Sequence, residues 1–327
     1  MRKLSVAAMI VVVTAGFSYG CSMFRNRTPM RSVPGLERAL VTRIARDSGT
    51  VVGVSMIDLE SGLRLGINDT ITMHAASTMK VPIMIEVFRQ TEQARRSLDE
   101  LVQVKNQFTS IADGSTYALS PSDDSDTTLY RMVGGQVPLR ELVRLMIVRS
   151  SNLAANILIE QVTPQAIART LAALDAEDMR VLRGVEDSPA FQRGLNNTTN
   201  AKGFARALEG IARCRVTSQK ACDEMIEIMA AQEFNDMIPK GIPVRTKIAH
   251  KTGWVTGIQH DGAIVFPPGQ KPYVLVVLTR GAQDSTRAKR LGADLSGFVW
   301  DALAGRVVAG PPRRNCPIGY PPERCRR

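Results

Sequence analysis

Hydrophobic and polar residues alternate near both ends of the chain and follow a helical period between them. The segments 50–68, 247–266 and 272–281 alternate with the period of two that β-strands show, the first around a turn at Ser61-Gly62. Apolar residues recur every three or four positions in five further segments, which predict helices: 36–46, 137–162 with a polar break at 149–152, 164–175, 200–214 and 285–305. The pattern predicts an α+β fold, in which an antiparallel sheet from the N- and C-terminal segments is flanked by helices, beside an all-helical subdomain.

The stretch HAASTMKVPIMIEVF, residues 74–88, is apolar on nearly every side after two polar residues, Ser77 and Lys80. A helix with apolar residues all round belongs in the core of a protein. Pro82 is tolerated about one turn into this helix if the helix begins near Ser77, because the first N–H groups of a helix have no partner within it. The pattern therefore places a serine and a lysine at the head of a buried helix.

The first residues of the chain have the features of an export signal. Residues 1–20 combine a positive start with an apolar run too short for a comfortable membrane span. The run ends in SYGC, which resembles the lipobox of bacterial lipoproteins and predicts lipid attachment at Cys21; ordinary signal-peptidase cleavage is the alternative. Residues 21–33 are polar and basic and predict a linker or lipid tether. An exported protein, held in the periplasm or cell envelope, is expected.

The remaining cysteines favour two disulfide bonds. Four are left after Cys21, in a compartment that permits oxidation, and three pairings are possible. Short spacings favour Cys214–Cys222 and Cys316–Cys325, and four free thiols are the alternative. The second pair lies in the basic tail 306–327. No Cys-x-x-Cys or Cys/His cluster has the spacing of metal ligands, so we expect no metal site.

Charge and composition narrow the possible partners. The chain of 327 residues has a formal net charge of +11, yet its basic residues are dispersed and only 5% of residues are aromatic, so nucleic-acid binding is not expected. The acidic stretch 120–130, SPSDDSDTTLY, lacks the spacing of a calcium loop and predicts a solvated loop. Residues 183–200 carry Gly, Pro and Asn and predict another loop.

Three short motifs together indicate chemistry. A lysine in apolar surroundings loses its charge readily, so Lys80 can serve as the base that activates the Ser77 hydroxyl. Such a pair alone is common and is equally explained by a helix N-cap. The chain also contains SSN at residues 150–152 and HKTG at residues 250–253, on a predicted strand. Three motifs in this order make coincidence a poor explanation.

At these motifs the chain resembles the penicillin-recognising serine enzymes, most closely the class A β-lactamases, from Leu36 to Gly305. The resemblance implies one catalytic domain over residues 34–305, without a cofactor, and we expect a monomer. It also implies the catalytic roles: Ser77 as nucleophile, Lys80 as base and Ser150 as proton donor to the leaving nitrogen. Asn152 would orient Lys80 and the substrate amide, and Lys251, Thr252 and Gly253 would bind the substrate carboxylate. The N–H groups of Ser77 and Trp254 would form the oxyanion hole.

Two positions depart from the class A pattern. Ser151 stands where those enzymes usually have aspartate, at a position that is mainly structural. In the loop 183–200, Glu186 matches the glutamate that activates the deacylating water, but Ala190 stands where an asparagine is expected. The resemblance thus implies a hydrolase that opens β-lactams. The first alternative is a penicillin-binding, DD-peptidase-like protein that handles peptidoglycan stem peptides. Glu186 would then be a loop carboxylate paired with Arg183 or Arg193. The second alternative is a binding module on a degenerate enzyme scaffold.

Overall fold

A computed structural model describes residues 35–47, 49–94 and 97–303. The predicted signal peptide 1–20, the lipidation site Cys21, the tether 21–33, and the tail 306–327 with Cys316 and Cys325 lie outside the described residues. No helix in the described ranges has both the length and the apolar character needed to cross a bilayer.

The central element is an antiparallel sheet of five strands in the order β2-β1-β11-β10-β9. Its strands are β1 (Val51–Asp58), β2 (Arg64–Ile67), β9 (Lys247–Val255), β10 (Ile258–Phe266) and β11 (Tyr273–Arg280). The first strand, β1, pairs along its whole length with the last, β11. This sheet, made from the two ends of the domain, confirms the predicted α+β fold.

Helices cover both faces of the sheet. Alternate residues of β11 face opposite sides: Leu275 and Val277 pack with helices α1 and α9, whereas Val276 and Leu278 pack with the helical subdomain. The helices are α1 (Leu36–Ile44), α2 (Lys80–Gln93), α3 (Leu139–Val148), α4 (Asn152–Val162), α5 (Pro164–Ala173), α6 (Ser188–Gln192), α7 (Ala201–Ala212), α8 (Gln219–Ala230) and α9 (Ser285–Leu303). Short strand pairs join the remaining segments: β3 (Met73–His74) with β8 (Thr198–Thr199), β4 (Leu101–Gln103) with β7 (Gln136–Pro138), and β5 (Phe108–Thr109) with β6 (Thr116–Tyr117).

Helix α2 is the buried helix that the sequence predicts. Its backbone becomes α-helical at Lys80, after a 3₁₀ turn over Ala76–Met79, and Pro82 lies in its first turn. From Lys80 to Phe88 every side chain is buried, because α2 packs against α3, α4, α5 and α7. The nucleophile candidate therefore lies in the 3₁₀ turn directly before the core helix.

Two elements differ from the sequence prediction. The loop 183–200 contains the short helix α6, which begins where the Asp187 side chain accepts the Ala190 N–H, and it ends in strand β8. Helix α8 was not predicted, and it is tied to the end of α7 by a Cys214–Cys222 disulfide with Cα atoms 5.6 Å apart.

Candidate active site

Ser77 lies at the edge of a cavity of about 590 Å³ between the sheet and the helical subdomain. Asn152, Glu186 and Trp254 line the same cavity. The residue before the serine, Ala76, has a φ of 46°. Few non-glycine residues adopt this left-handed conformation, and they concentrate at functional sites.

Lys80 is fully buried, with its ammonium group surrounded by oxygen atoms. Its Nζ donates to Asn152 Oδ1 at 2.8 Å and to Ser150 Oγ at 3.2 Å, and also to the Ser150 carbonyl. Burial lowers the pKa of Lys80 to about 7, against an opposing effect of the Asp124 charge. A side chain with such a pKa is neutral in a large fraction of molecules at neutral pH, as a general base must be.

The Ser150 hydroxyl joins two buried lysines. Its Oγ accepts from Lys80 and also from Lys251 Nζ, at 3.0 Å. A hydroxyl has two acceptor lone pairs and one donor, so two lysine donors leave its own O–H free to donate. Burial, together with the positive charge of Lys80, holds the pKa of Lys251 well below its usual range. The two lysines therefore disfavour each other's charged form, and an anion beside Lys251 would stabilise its ammonium group.

Strand β9 runs directly past the turn Ala76–Met79, which carries Ser77 and is called the nucleophile turn below. A side-chain carbon added to Gly253 would lie 2.9 Å from the Ser77 nitrogen, so only glycine fits there without a shift of the backbone. The Thr252 hydroxyl is buried and has no hydrogen-bond partner within the described residues. Trp254 is partly exposed and packs edge-on against Phe234, with ring centroids 4.8 Å apart. Strand β9 thus brings two features close to Ser77: the Thr252 hydroxyl, which has no partner within the described residues, and the closely packed backbone of Gly253.

Glu186 is half-buried and lines the same cavity, with a φ of 63°. Burial raises the pKa of its carboxyl, as do the nearby charges of Asp123 and Asp124, whereas a hydrogen bond from the Ser120 backbone lowers it. A raised pKa moves the carboxylate toward the working range of a base near neutral pH.

The arginines near Glu186 have other partners. The Arg183 guanidinium donates to the carbonyls of Leu195 and Gly184, at 3.1 and 2.9 Å. Arg193 donates to the Ala112 carbonyl, and its guanidinium also lies near the carboxylate of the next residue, Asp113. This geometry argues against the interpretation of Glu186 as a carboxylate paired with either arginine.

The asparagines that follow Ala190 hold the loop in place. Asn197 accepts the N–H groups of Leu182 and Arg183, at 2.7 and 3.1 Å, and its amide donates to Met79 Sδ. Ala190 itself is buried, and its methyl side chain offers no hydrogen bond to a water. The loop thus presents the glutamate without the asparagine that accompanies it in class A enzymes.

Asn156 is a site residue that the sequence analysis missed. Its Oδ1 accepts the Val185 N–H at 2.6 Å and its amide donates to the Val185 carbonyl at 3.0 Å, which fixes the backbone beside Glu186. Its spacing in the sequence could have revealed it, because Asn156 follows Asn152 by one turn on helix α4 and faces the same side.

The acidic stretch 120–130 is not simply a solvated loop, so that prediction was wrong in part. Asp126 is 3% exposed, accepts from the Thr128 hydroxyl and pairs with Arg149 at 3.4 Å. The Asp124 carboxylate binds the start of helix α4. Within the described residues, no group of three or more His, Cys, Asp or Glu side chains is arranged to hold a metal ion.

His260 supports the short strand β3, which precedes the turn with Ser77. It is fully buried on β10, where Nε2 lies 3.0 Å from the His74 carbonyl and Nδ1 accepts the Thr279 N–H at 3.2 Å. Burial lowers the pKa of His260 from 6.5 to about 4. A neutral imidazole with its proton on Nε2 satisfies both contacts.

This buried histidine makes stability depend on pH. Below about pH 6.5 the unfolded chain binds a proton on His260, whereas the folded protein does so only near pH 4, so the free energy of unfolding decreases as pH falls through this window. The full contribution is about 3 kcal/mol. Urea unfolding of the wild type at pH 7, 6 and 5 measures it. His260→Gln keeps a donor for the His74 carbonyl but cannot titrate, and we expect a shallower slope for it; equal slopes would contradict the assignment.

The comparisons agree with this fold and place the chain in a family. The model of the β-lactamase enzyme family matches residues 35–303. The β-lactamase of Streptomyces albus G is 25% identical over 286 residues, covering 84% of each chain, and β-lactamase L2 of Stenotrophomonas maltophilia is 24% identical over 258 residues, covering 77% of this chain and 81% of its own.

Solved structures share the fold. PBP-A superposes with a TM-score of 0.71 at 22% identity, covering 82% of this chain and 95% of that one. The β-lactamase from Sphaerobacter thermophilus DSM 20745 has a TM-score of 0.70 at 24% identity, covering 83% and 97%. Both PBP-A and a β-lactamase thus have this architecture. The chain belongs to the β-lactamase enzyme family.

Proposed function

We propose that this protein hydrolyses β-lactams through an acyl-enzyme on Ser77. The observation that carries the proposal is the Ser150 hydroxyl, held by Lys80 and Lys251, beside the turn that presents Ser77 to the cavity. This arrangement supplies a base, a nucleophile and a proton donor for acyl transfer.

In the acylation step, neutral Lys80 takes the proton of the Ser77 hydroxyl as its oxygen attacks the β-lactam carbonyl. The negative charge that develops on the carbonyl oxygen is stabilised by the N–H groups of Ser77 and Trp254. The C–N bond then breaks, and the Ser150 O–H protonates the leaving nitrogen. Lys80 restores the proton to Ser150, so the step ends with Ser77 acylated and both lysines ready for the next step.

Binding of the substrate rests on its carboxylate. Lys251 and the unpartnered Thr252 hydroxyl lie beside the nucleophile turn and provide a cation and a donor for an anion. An anion there also favours the charge on Lys251, which leaves Lys80 neutral. Substrate binding would therefore help to establish the protonation state that acylation needs.

Hydrolysis of the acyl-enzyme requires Glu186. Glu186 lines the same cavity as Ser77, and its carboxylate can remove a proton from a water that attacks the ester. The water's oxygen becomes part of the released acid, and Ser77 regains its proton. This step decides whether the protein is a β-lactamase.

One observation favours a second candidate, a penicillin-binding protein that stays acylated. Ala190 is buried where the class A pattern has an asparagine, so the loop offers no side-chain amide at that position to hold the attacking water. In this case the natural substrate would be a peptidoglycan stem peptide, and penicillin would act as a slowly released inhibitor.

Rapid mixing with benzylpenicillin, acid quenching and intact-mass measurement tests both candidates. We expect an adduct with the mass of the whole penicillin, since ring opening expels no fragment, followed by its loss and by release of hydrolysed penicillin. Absence of both the adduct and the hydrolysed product would refute the proposal. An adduct that persists for hours would assign the protein to the second candidate.

A further inference from the structure

The acidic stretch 120–130 reaches the first turn of helix α4 through one side chain. Both carboxylate oxygens of Asp124 accept the Asn152 N–H at 2.9 Å, and Oδ2 also accepts the Leu153 N–H at 2.9 Å. The Tyr130 hydroxyl donates to the same oxygen at 3.0 Å. Tyr130, on the same stretch, therefore holds the Asp124 carboxylate in place, and that carboxylate binds the first N–H groups of helix α4.

These contacts complete the start of α4. The first N–H groups of a helix lack partners within it, and the N-terminus carries a partial positive charge that favours an anion. Ser151 satisfies the Ala154 N–H with its hydroxyl, at 3.3 Å. Asp124 satisfies the two N–H groups before it, so a serine and an aspartate from another segment share the capping.

The helix start is also part of the active site. Asn152 is its first residue, and its side chain accepts from Lys80. Ser150, two residues earlier, has a φ of 60° and carries the hydroxyl between the lysines. Because Ser151 stands where class A enzymes usually have aspartate, the segment 150–152 has no carboxylate of its own.

We propose that Asp124 is a positioning residue for acylation, which holds the segment 150–152 against Lys80 and supplies from a neighbouring loop the carboxylate that this segment lacks. The inference rests on the proposed function. Asp124 acts through Asn152 and Ser150, and it touches neither the nucleophile nor the base in the contacts described.

The charge of Asp124 acts on Lys80 as well. Lys80 faces Lys251 from β9 and Asp124 from the acidic stretch, together with the uncharged side chains of Ser150 and Asn152. Asp124 raises the pKa of Lys80 against the larger effect of burial. Removing this charge should lower the pKa of Lys80, which simple loss of a helix cap would not do.

Asp124→Asn tests the proposal. We expect the acylation rate with a fluorescent penicillin to fall roughly ten- to a hundredfold, as for lost hydrogen bonds to a charged acceptor, and the acidic limb of its pH profile to move to lower pH. NMR titration of the Lys80 side chain should show the same direction of change, and the Asn152 and Leu153 amides should exchange faster with solvent. Asp123→Asn removes an equal charge one residue earlier and should leave the Lys80 titration and both amides as in the wild type.

An acylation rate within twofold of the wild type and an unchanged Lys80 titration in D124N would overturn the proposal. A lower melting temperature without a change in the Lys80 pKa would also overturn it, since this describes a purely structural residue. If D124N does not fold, Asp124→Glu keeps the charge but displaces the carboxylate, and wild-type acylation by that variant would count against positioning. If the wild type itself is not acylated, the proposed function fails, and the NMR measurements still decide whether Asp124 controls Lys80 and α4.

Discussion

Ser77→Ala is expected to abolish covalent labelling by a fluorescent penicillin. The variant keeps the 3₁₀ turn and the buried lysines but has no oxygen to attack the carbonyl. Loss of the nucleophile in a serine hydrolase typically costs roughly 10⁶-fold in rate, because the other groups act only in concert with it. Labelling should fall below detection at concentrations that give a clear label on the wild type when the reaction is quenched with acid soon after mixing.

A serine elsewhere in the cavity provides the matched control. Ser125 lines the same cavity but lies on the acidic stretch, away from the nucleophile turn. Ser125→Ala should label at a rate close to that of the wild type. Equal labelling of Ser77→Ala and the wild type, at a residue identified by peptide mapping, would show that another side chain is the nucleophile.

Glu186→Gln is expected to trap the acyl-enzyme. The substitution preserves the size of the side chain but removes its ability to accept a proton, so hydrolysis should slow by about 10²–10⁴-fold. Acylation should change little, since Lys80 serves that step. Time-resolved intact mass after mixing with benzylpenicillin would show an adduct that is lost from the wild type and that accumulates and persists much longer in the variant.

The pH dependence gives a second measure of the same residue. Glu186 must be ionised to act as a base, and burial raises its pKa, so wild-type deacylation should fall as pH drops through that raised pKa. Asp123→Asn removes one of the charges that raise this pKa, so its deacylation should fall at a lower pH than that of the wild type, while its rate at neutral pH should stay close to the wild-type rate. A wild-type adduct that is stable for hours, with the same lifetime in Glu186→Gln, would rule out this role and favour the penicillin-binding candidate.

The sequence predicted those parts of the fold and site that depend on local spacing. Strand alternation located β1 and β11, and the apolar run after Ser77 located α2, because burial imposes a period on the residues themselves. Ser77 and Lys80 were found together because one helical turn joins them. The three motifs indicated the rest of the candidate catalytic set, whose roles come from the family resemblance.

Contacts between segments that are distant in the chain could not be predicted from a single sequence. Asp124 resembles its neighbours Asp123 and Asp126 in the chain, and only packing distinguishes the one that caps α4. Asn156 likewise gains its role from a loop about thirty residues later. Helix α6 escaped prediction because its five residues include Pro189 and lie between Gly184 and Gly194, and so short a segment has too little periodicity to outweigh these loop signals.

The pairing of β1 with β11 has a consequence for the order in which the site appears during synthesis. Ser77 and Lys80 are made early, but the strand that carries Lys251 and Thr252 comes late, and the sheet closes only after β11 has joined the first strand. Such long-range pairing is slow, because a long stretch of chain must be ordered before the contacts form. A nascent or truncated chain that lacks β9–β11 carries Ser77 without Lys251, Thr252 and the backbone of Gly253, so under the proposed mechanism only the finished domain has a reactive serine.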